Sequence, residues 1–313
     1  MSWVPVVDLS LPNAPSAVAE ACERVGFLTV VGHGVADDIV RAAWSTARQF
    51  FDLPLADRMA VAMPRPGYPY GYSPVAGETL ARSMDGGTAT PPDLKQSLAI
   101  GPVDQPTHTI TDPDEDFAWS PNLWPAALPS LRPAWEAYYR ALAALAGRLL
   151  STMAVGLGLD AGWFDPMIDR HTSAMRALDY PPATSAAAGQ FGASAHTDYG
   201  TLTILLADPV QGGLEVQDPF GRWHPVAAVP GSFVVNLGDA MARWTNDRWR
   251  STMHRVIAPS GRRQSIAFFH NANWDAVIEC LPGCLAAGER PKYPPITAGP
   301  HLMQKFQSTV NTY

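Results

Sequence analysis

The segment Ala195-His196-Thr197-Asp198-Tyr199-Gly200 sets an imidazole and a carboxylate two positions apart. At the end of an extended strand, side chains two apart leave from the same side, so His196 and Asp198 can reach one metal ion. A third donor has to come from elsewhere in the chain. His254, 56 positions after Asp198 in the apolar run STMHRVIA, is the best candidate. Two imidazoles and one carboxylate on one face of an ion leave three positions open, which lets Fe(II) take up a co-substrate and O2 together. The His-x-Asp pair carries little weight by itself, because short patterns of this kind arise by chance and buried histidines are often merely hydrogen-bonded.

A second group of residues adds to it. Arg263-Gln264-Ser265 begins nine residues past His254 and leads into the apolar run Ile266 to Phe269. On a strand Arg263 and Ser265 point the same way, and a guanidinium fork beside a hydroxyl is a good receiver for a carboxylate. The competing reading of Gly261-Arg262-Arg263 is a solvated surface turn; Arg262 fits that reading, while alternation puts Arg263 with the inward set. His270 ends the same run and, with Phe269, is a candidate substrate contact at the mouth of the fold. The stretch Gly67-Tyr68-Pro69-Tyr70-Gly71-Tyr72 reads either as a proline-ordered loop with packed tyrosines or as a substrate lid built from Tyr68, Tyr70 and Tyr72. His33, His108, His171, His224 and His301 have no ligand partner at strand spacing and read as ordinary histidines. Cys280 and Cys284 lack a second ligand pair, so they read as plain thiols rather than a zinc site.

The elements that must position these groups fall into two kinds. A short strand (Val4 to Val7), an Ala-rich helix starting near Pro15, a strand Phe27 to Val31 and a helix from Asp37 form an αβ preface. From Pro64 to about Pro129 the chain is rich in Pro, Gly, Asp and Thr, with one good strand at Leu94 to Ile100, and such a loop-rich stretch commonly covers a site. Leu131 to Leu157 repeats apolar residues at helical spacing without an internal proline after its first turn and is the firmest helix. After Thr172 come short runs such as TLTILLA, GSFVVNLG, STMHRVIA and QSIAFFH parted by turn residues, the pattern of an all-β sandwich or barrel. No repeat or linker separates the halves, so we expect one domain over 1–313: preface and cover 1–130, bracing helices 131–170, β core 171–298 and a tail 299–313.

Composition narrows the function classes. Apolar residues make up 47% and charged residues 16% of the 313, which suits a well-packed globular chain. Twenty-two basic against 29 acidic side chains give a net charge of −7 with no basic stripe, so nucleic acid is not an expected partner. No signal segment or apolar run of about 18 residues is seen, and three cysteines are too few for a disulfide framework. A reduced cytoplasmic setting without membrane attachment is the expectation; oligomeric state is not legible.

Several segments in order resemble the isopenicillin N synthase-like branch of the 2-oxoglutarate- and Fe(II)-dependent dioxygenases. They are Val4-Pro5-Val6-Val7-Asp8, Gly26-Phe27 through Gly32-His33-Gly34, Gly71-Tyr72, Asp93-Leu94-Lys95, Asn122-Leu123-Trp124-Pro125 and Arg176 to Tyr180-Pro181-Pro182. The decisive part is His196-x-Asp198, His254 and Arg263-x-Ser265 together. The resemblance implies a double-stranded β-helix, a distorted jelly roll that is mainly β with flanking helices. It implies Fe(II) on His196, Asp198 and His254, and 2-oxoglutarate held by Arg263 and Ser265 with support from Tyr180. Leu178 departs from the pattern, since plant members often carry Asn there. The implied reaction oxidises an unactivated C–H bond of a small molecule with O2, giving succinate and CO2, with ascorbate as a stimulant and secondary metabolism as the setting. Hydroxylation is the leading outcome, with desaturation or ring chemistry as variants. Relatives that oxidise without 2-oxoglutarate, such as isopenicillin N synthase and the aminocyclopropane-carboxylate oxidases, are the nearest alternative. A non-catalytic jelly-roll metal or ligand binder is the alternative from another class.

Overall fold

The computed structural model describes residues 3–65, 67–75, 77, 92–184, 190–286 and 288–309. In chain order it forms β1 (Val6–Asp8), α1 (Ala14–Arg24), β2 (Phe27–Val31), α2 (Asp37–Asp52), α3 (Leu55–Met59), β3 (Gly71–Ser73) and β4 (Gln96–Ile100). Then follow α4 (Pro113–Ala118), α5 (Leu131–Gly156), α6 (Asp165–Ile168), β5 (Ala174–Tyr180), β6 (Phe191–His196), β7 (Leu202–Leu206), β8 (Leu214–Gln217) and β9 (Trp223–Pro225). The chain ends with β10 (Phe233–Leu237), α7 (Asp239–Trp244), β11 (His254–Ile257), β12 (Arg263–His270), β13 (Val277–Ile278), β14 (Ile296–Thr297) and α8 (Ala298–Thr309).

Two facing sheets carry the site. The large one has the order β1-β2-β10-β7-β12-β5-β4-β3, and the small one β6-β11-β8-β9. Strands from the preface and from the β core thus share one sheet, all antiparallel except the β1–β2 pair. Period-two alternation gives the large sheet two different faces. Its outer face presents Leu28, Val30, Leu98, Ile100, Met175, Ala177, Ile204, Val235, Ile266 and Phe268 to the helices. There α5 buries Trp135, Tyr138, Leu142, Leu145, Leu149 and Met153, spaced three or four apart so that they make one stripe, and α1 and α2 pack beside it. Two acidic residues open α2, where the helix N-terminus favours negative charge, and Pro15 opens α1, where a missing N–H costs nothing.

The inner face is smaller and more polar. Phe27, Leu178, Tyr180, Val234 and Ala267 meet Ala193, Leu214, Val216 and Val256 of the small sheet across a second core. Apolar surface here seals the space between the sheets, interrupted by buried polar residues such as Thr203, Asn236 and His254. Three sequence expectations change. The first strand lies at Val6–Asp8 rather than Val4 to Val7, because buried Val4 packs into the inner core while Val6 to Asp8 pair with Thr29 to Val31. The fourth strand begins at Gln96, two residues later than expected. The segment expected as a tail folds as α8, whose Phe306 packs edge-on against Phe117 of α4.

Candidate active site

His196 ends β6 and His254 begins β11, and the antiparallel register sets the two directly opposite one another. Their rings lie 4.3 Å apart between centroids. Each ring is held from behind. Nδ1 of His196 lies 2.7 Å from the Ser194 carbonyl, and Nδ1 of His254 lies 3.1 Å from the Thr252 carbonyl. A carbonyl oxygen only accepts, so in both rings Nδ1 carries the proton and Nε2 keeps its lone pair for a metal. Asp198 divides its oxygens in the same way. Oδ2 accepts from Thr203 Oγ1 at 2.5 Å and from Asn236 Nδ2 at 2.7 Å. Oδ1 faces the two imidazoles, 3.9 Å from Nε2 of His196 and 3.8 Å from Nε2 of His254.

The three groups offer donor atoms that all lie within 4.8 Å of one another, the sole such cluster of His, Cys, Asp or Glu among the described residues. Bonds of roughly 2.0–2.2 Å would set neighbouring donors about 3 Å apart, so closing onto an ion takes small side-chain movements. Burial and the neighbouring His254 imidazole push His196 down to about 4, so it is neutral and able to ligate near pH 7. Burial works against the Asp198 charge, but His254, His196 and the bonds from Asn236 and Thr203 outweigh it and hold the carboxyl below its usual range. A further layer stands behind Ser194: Asp93 accepts its N–H at 2.9 Å and its hydroxyl at 2.6 Å, and is paired with Lys95 at 2.8 Å.

Arg263 opens β12 opposite Tyr180 of β5. Its guanidinium lies 4.7 Å over the Tyr180 ring, donates through Nε to the Gly212 carbonyl at 2.9 Å and through Nη1 to Ser265 Oγ at 3.2 Å. Arg263 is 2% exposed, yet no carboxylate of the described residues lies within 4.0 Å of its nitrogens. The Asp208 carboxylate acts on this buried cation only from beyond ion-pair range, so an anion that pairs with it directly is favoured. Arg263, Ser265 and Tyr180 could therefore receive a carboxylate together, on the inner face that also carries the metal-type cluster. Leu178, next inward from Tyr180 on β5, contributes only apolar surface there.

Residues 171–272 match the model of the 2OG-Fe(II) oxygenase superfamily, and residues 4–127 match the model described as non-haem dioxygenase in morphine synthesis N-terminal. A 2-oxoglutarate-Fe(II) type oxidoreductase of Emericella nidulans is 40% identical over 290 residues, covering 90% of this chain and 80% of that one. The chain belongs to the 2-oxoglutarate- and Fe(II)-dependent oxygenases. A proline hydroxylase of Petromyces alliaceus is 35% identical, covering 87% of this chain and 86% of its own. A full-length Neurospora crassa protein, solved in complex with alpha-KG and thymine, superposes with a TM-score of 0.83 at 31% identity over 96% of each chain. This oxygenase accordingly is an enzyme that uses Fe(II) and 2-oxoglutarate, on the double-stranded β-helix expected from the sequence.

Not every expected contact is brought to the site. Phe269 lies on the inner face, opposite Thr203, whose hydroxyl bonds Asp198. His270, the next residue, turns to the outer face, is 1% exposed, and lies beside His171 and Phe268 with Thr201 on its Nδ1. Strand alternation separates it from Phe269, so its placement gives no substrate contact. The three tyrosines are packed rather than poised as a lid. Tyr68 donates to Pro121 O at 2.5 Å, Tyr70 to Ala118 O at 2.6 Å, and Tyr72 faces the helices with its hydroxyl on Gln96 at 2.7 Å. Arg262, expected as solvated charge, donates to buried Asp179 at 2.7 Å and to Asp52 at 2.5 Å, locking the start of β12 to β5 and α2. Sequence reasoning does not reach Thr203, Asn236, Ser194, Asp93 and Gly212 as site residues. Asn236 carries a signal all the same: it is the one polar residue in the strand FVVNL, in the same alternating set as Val234.

Proposed function

We propose that His196, Asp198 and His254 hold the ferrous ion of this oxygenase, that Arg263 and Ser265 seat the distal carboxylate of 2-oxoglutarate against Tyr180, and that a small molecule beside Phe269 is hydroxylated. The carrying observation is the buried Arg263, aimed with Ser265 into the space between the sheets with no carboxylate of the described residues in ion-pair contact. A dicarboxylate that reaches from this cation toward the three donors satisfies both ends of the site at once. Bound there, a ferrous ion would supply the redox chemistry that divides O2: one oxygen atom would end in succinate as 2-oxoglutarate loses CO2, and the other in the product alcohol.

The chain's own contribution is placement. Ser194 and Thr252 carbonyls fix which nitrogen of each imidazole faces inward, and Thr203 with Asn236 fix which Asp198 oxygen does. The inner core of Phe27, Val216, Val234 and Val256 keeps bulk water from the reacting groups, which strengthens every polar contact there. A compact substrate is supported by related structures that hold thymine or 5-formyluracil together with alpha-KG. A reducing compartment, the cytoplasm, suits both Fe(II) and three unpaired cysteines, and no described helix is long and apolar enough to cross a membrane. A role in secondary metabolism accords with the oxidative chemistry of a small molecule.

The test screens small molecules for substrate-stimulated release of succinate, with product mass measured in parallel. Wild type should form about one succinate per molecule oxidised, EDTA should stop the reaction, and Fe(II) with ascorbate should restore it. Arg263→Ala should weaken 2-oxoglutarate binding by roughly tenfold or more, the loss of a charge-assisted pair. Substrate oxidation without succinate, or unaltered 2-oxoglutarate affinity in Arg263→Ala, would refute the reading.

A further inference from the structure

The direction in which Arg263 points depends on a loop that is fastened from outside the site. Asp208 follows β7 and is 7% exposed. Its Oδ1 accepts the backbone N–H of Val210 and of Gln211, each at 2.9 Å, and its Oδ2 accepts the backbone N–H of Gln264 at 3.0 Å. One carboxylate thus ties the β7–β8 loop to the second residue of β12. The same loop carries Gly212, whose carbonyl takes Nε of Arg263 at 2.9 Å. Its far end is pinned where Ile257 N donates to Gly213 O at 2.8 Å, with Gly213 at φ +95, a backbone conformation open to glycine. On the opposite side Gly261 leaves room for Gln211, since a Cβ there would come 2.9 Å from Gln211 Nε2.

A guanidinium has five N–H donors in a fixed plane. With Nε committed to Gly212 and Nη1 reaching Ser265, the direction of the remaining edge is settled by where the Gly212 carbonyl stands. We infer that Asp208 is a positioning residue for co-substrate: by holding the Gly212 carbonyl and the start of β12 together, it aims Arg263 and so sets the affinity for 2-oxoglutarate. This inference rests on the proposed role of Arg263 as carboxylate receiver. The sign of the effect separates it from simple electrostatics. Asp208 adds negative charge near Arg263, so a purely coulombic role means that its removal tightens binding of a dianion. A positioning role means that removal loosens binding, because a bidentate contact tolerates little misplacement.

The experiment titrates 2-oxoglutarate calorimetrically, without oxygen, into the Fe(II)-loaded wild type and the variants Asp208→Ala, Asp208→Asn and Arg263→Lys, with Fe(II) affinity measured separately. Asp208→Ala should weaken 2-oxoglutarate by roughly tenfold. Asp208→Asn, which keeps one acceptor oxygen for the loop, should lose less, and Fe(II) affinity should stay at the wild-type value in both. Should the alanine variant fail to fold, the asparagine variant decides by the same criterion. Wild-type or tighter 2-oxoglutarate binding in the Asp208 variants, with Arg263→Lys weakened, overturns the inference and leaves the receiver assignment standing. Equal losses of Fe(II) and 2-oxoglutarate affinity also overturn it, as the mark of general destabilisation. Unaltered binding in Arg263→Lys means that a point charge suffices without an aimed fork, and overturns this inference too.

Discussion

Asp198 shows how a single side chain is divided between structure and chemistry. Thr203 and Asn236 occupy Oδ2, so the carboxylate cannot rotate without breaking two buried hydrogen bonds, and Oδ1 stays turned toward Nε2 of both histidines. Asn236→Ala should therefore lower Fe(II) affinity by about 10–100-fold, the range for partners that orient a metal ligand. Asn236→Asp should do worse than alanine's geometric loss suggests, because a second buried carboxylate would then face Oδ2. Equilibrium dialysis against Fe(II) under anaerobic conditions reads both, and a wild-type constant for Asn236→Ala would show that Thr203 suffices alone. His196, Asp198 and His254, which the fold brings together, were legible as candidate donors from residue type and strand spacing. Their supports were harder to see, because Ser194 sits among the small residues of β6 and Thr203 among the leucines of β7, and the facing of each depends on the register with a partner strand. Arg262 escapes the sequence reading for a related reason: its two acidic partners, Asp52 and Asp179, lie 210 and 83 positions away in the chain.

At the scale of elements, the loop that carries Asp198 is shaped by the turn between β10 and α7. The N–H of Asp239 donates to the Asp198 carbonyl at 2.8 Å, Gly238 N–H to Thr201 O at 3.0 Å, and Ala240 N–H to Tyr199 O at 3.2 Å. So close an approach requires a bare backbone at Gly238, where a Cβ would come 2.2 Å from the Gly200 carbonyl oxygen. Gly238→Ala should displace the ligand loop, costing about 1–3 kcal/mol as overpacking does, and should lower Fe(II) affinity as well. A urea titration and the dialysis measurement check it; wild-type stability together with wild-type iron binding would mean that the loop yields without cost. Long periodic elements such as α5 and the full strand β2 were readable, since many residues agree on one period. Short strands were readable only loosely. Tyr72 is the clearest case, for the two-residue period that turns Gly71 and Ser73 inward sends its ring to the helices, where it meets Phe50. The same period separates Phe269 from His270. Facing turns Tyr72 from the inner side, whereas Tyr68 and Tyr70, which precede the strand, are held by their hydroxyls on Pro121 and Ala118.

For the molecule as a whole, burial leaves several histidines neutral and so couples stability to pH. Desolvation lowers His171 and His33, drives His270 well down, and pushes His301 to about 4. In the unfolded chain each titrates near 6.5. Below that value the unfolded state binds protons that the folded state refuses, so stability is fully present above about pH 6.5 and is lost as pH falls toward 4. His301 alone contributes roughly 2 kcal/mol to the loss at pH 5, from the difference between 6.5 and about 4. The urea midpoint of the metal-free protein should hence be level from pH 8 to 7 and clearly lower at pH 5. His301→Gln should reduce that drop, since a neutral amide keeps the packing of α8 against the β core without a proton to take up. His301 stands outside the proposed iron site, so the comparison separates stability from metal loss: Fe(II) affinity measured at pH 7 should match wild type in this variant. A midpoint that does not move between pH 7 and 5, or one that rises, would mean that these rings accept protons in place and that their burial carries no such penalty.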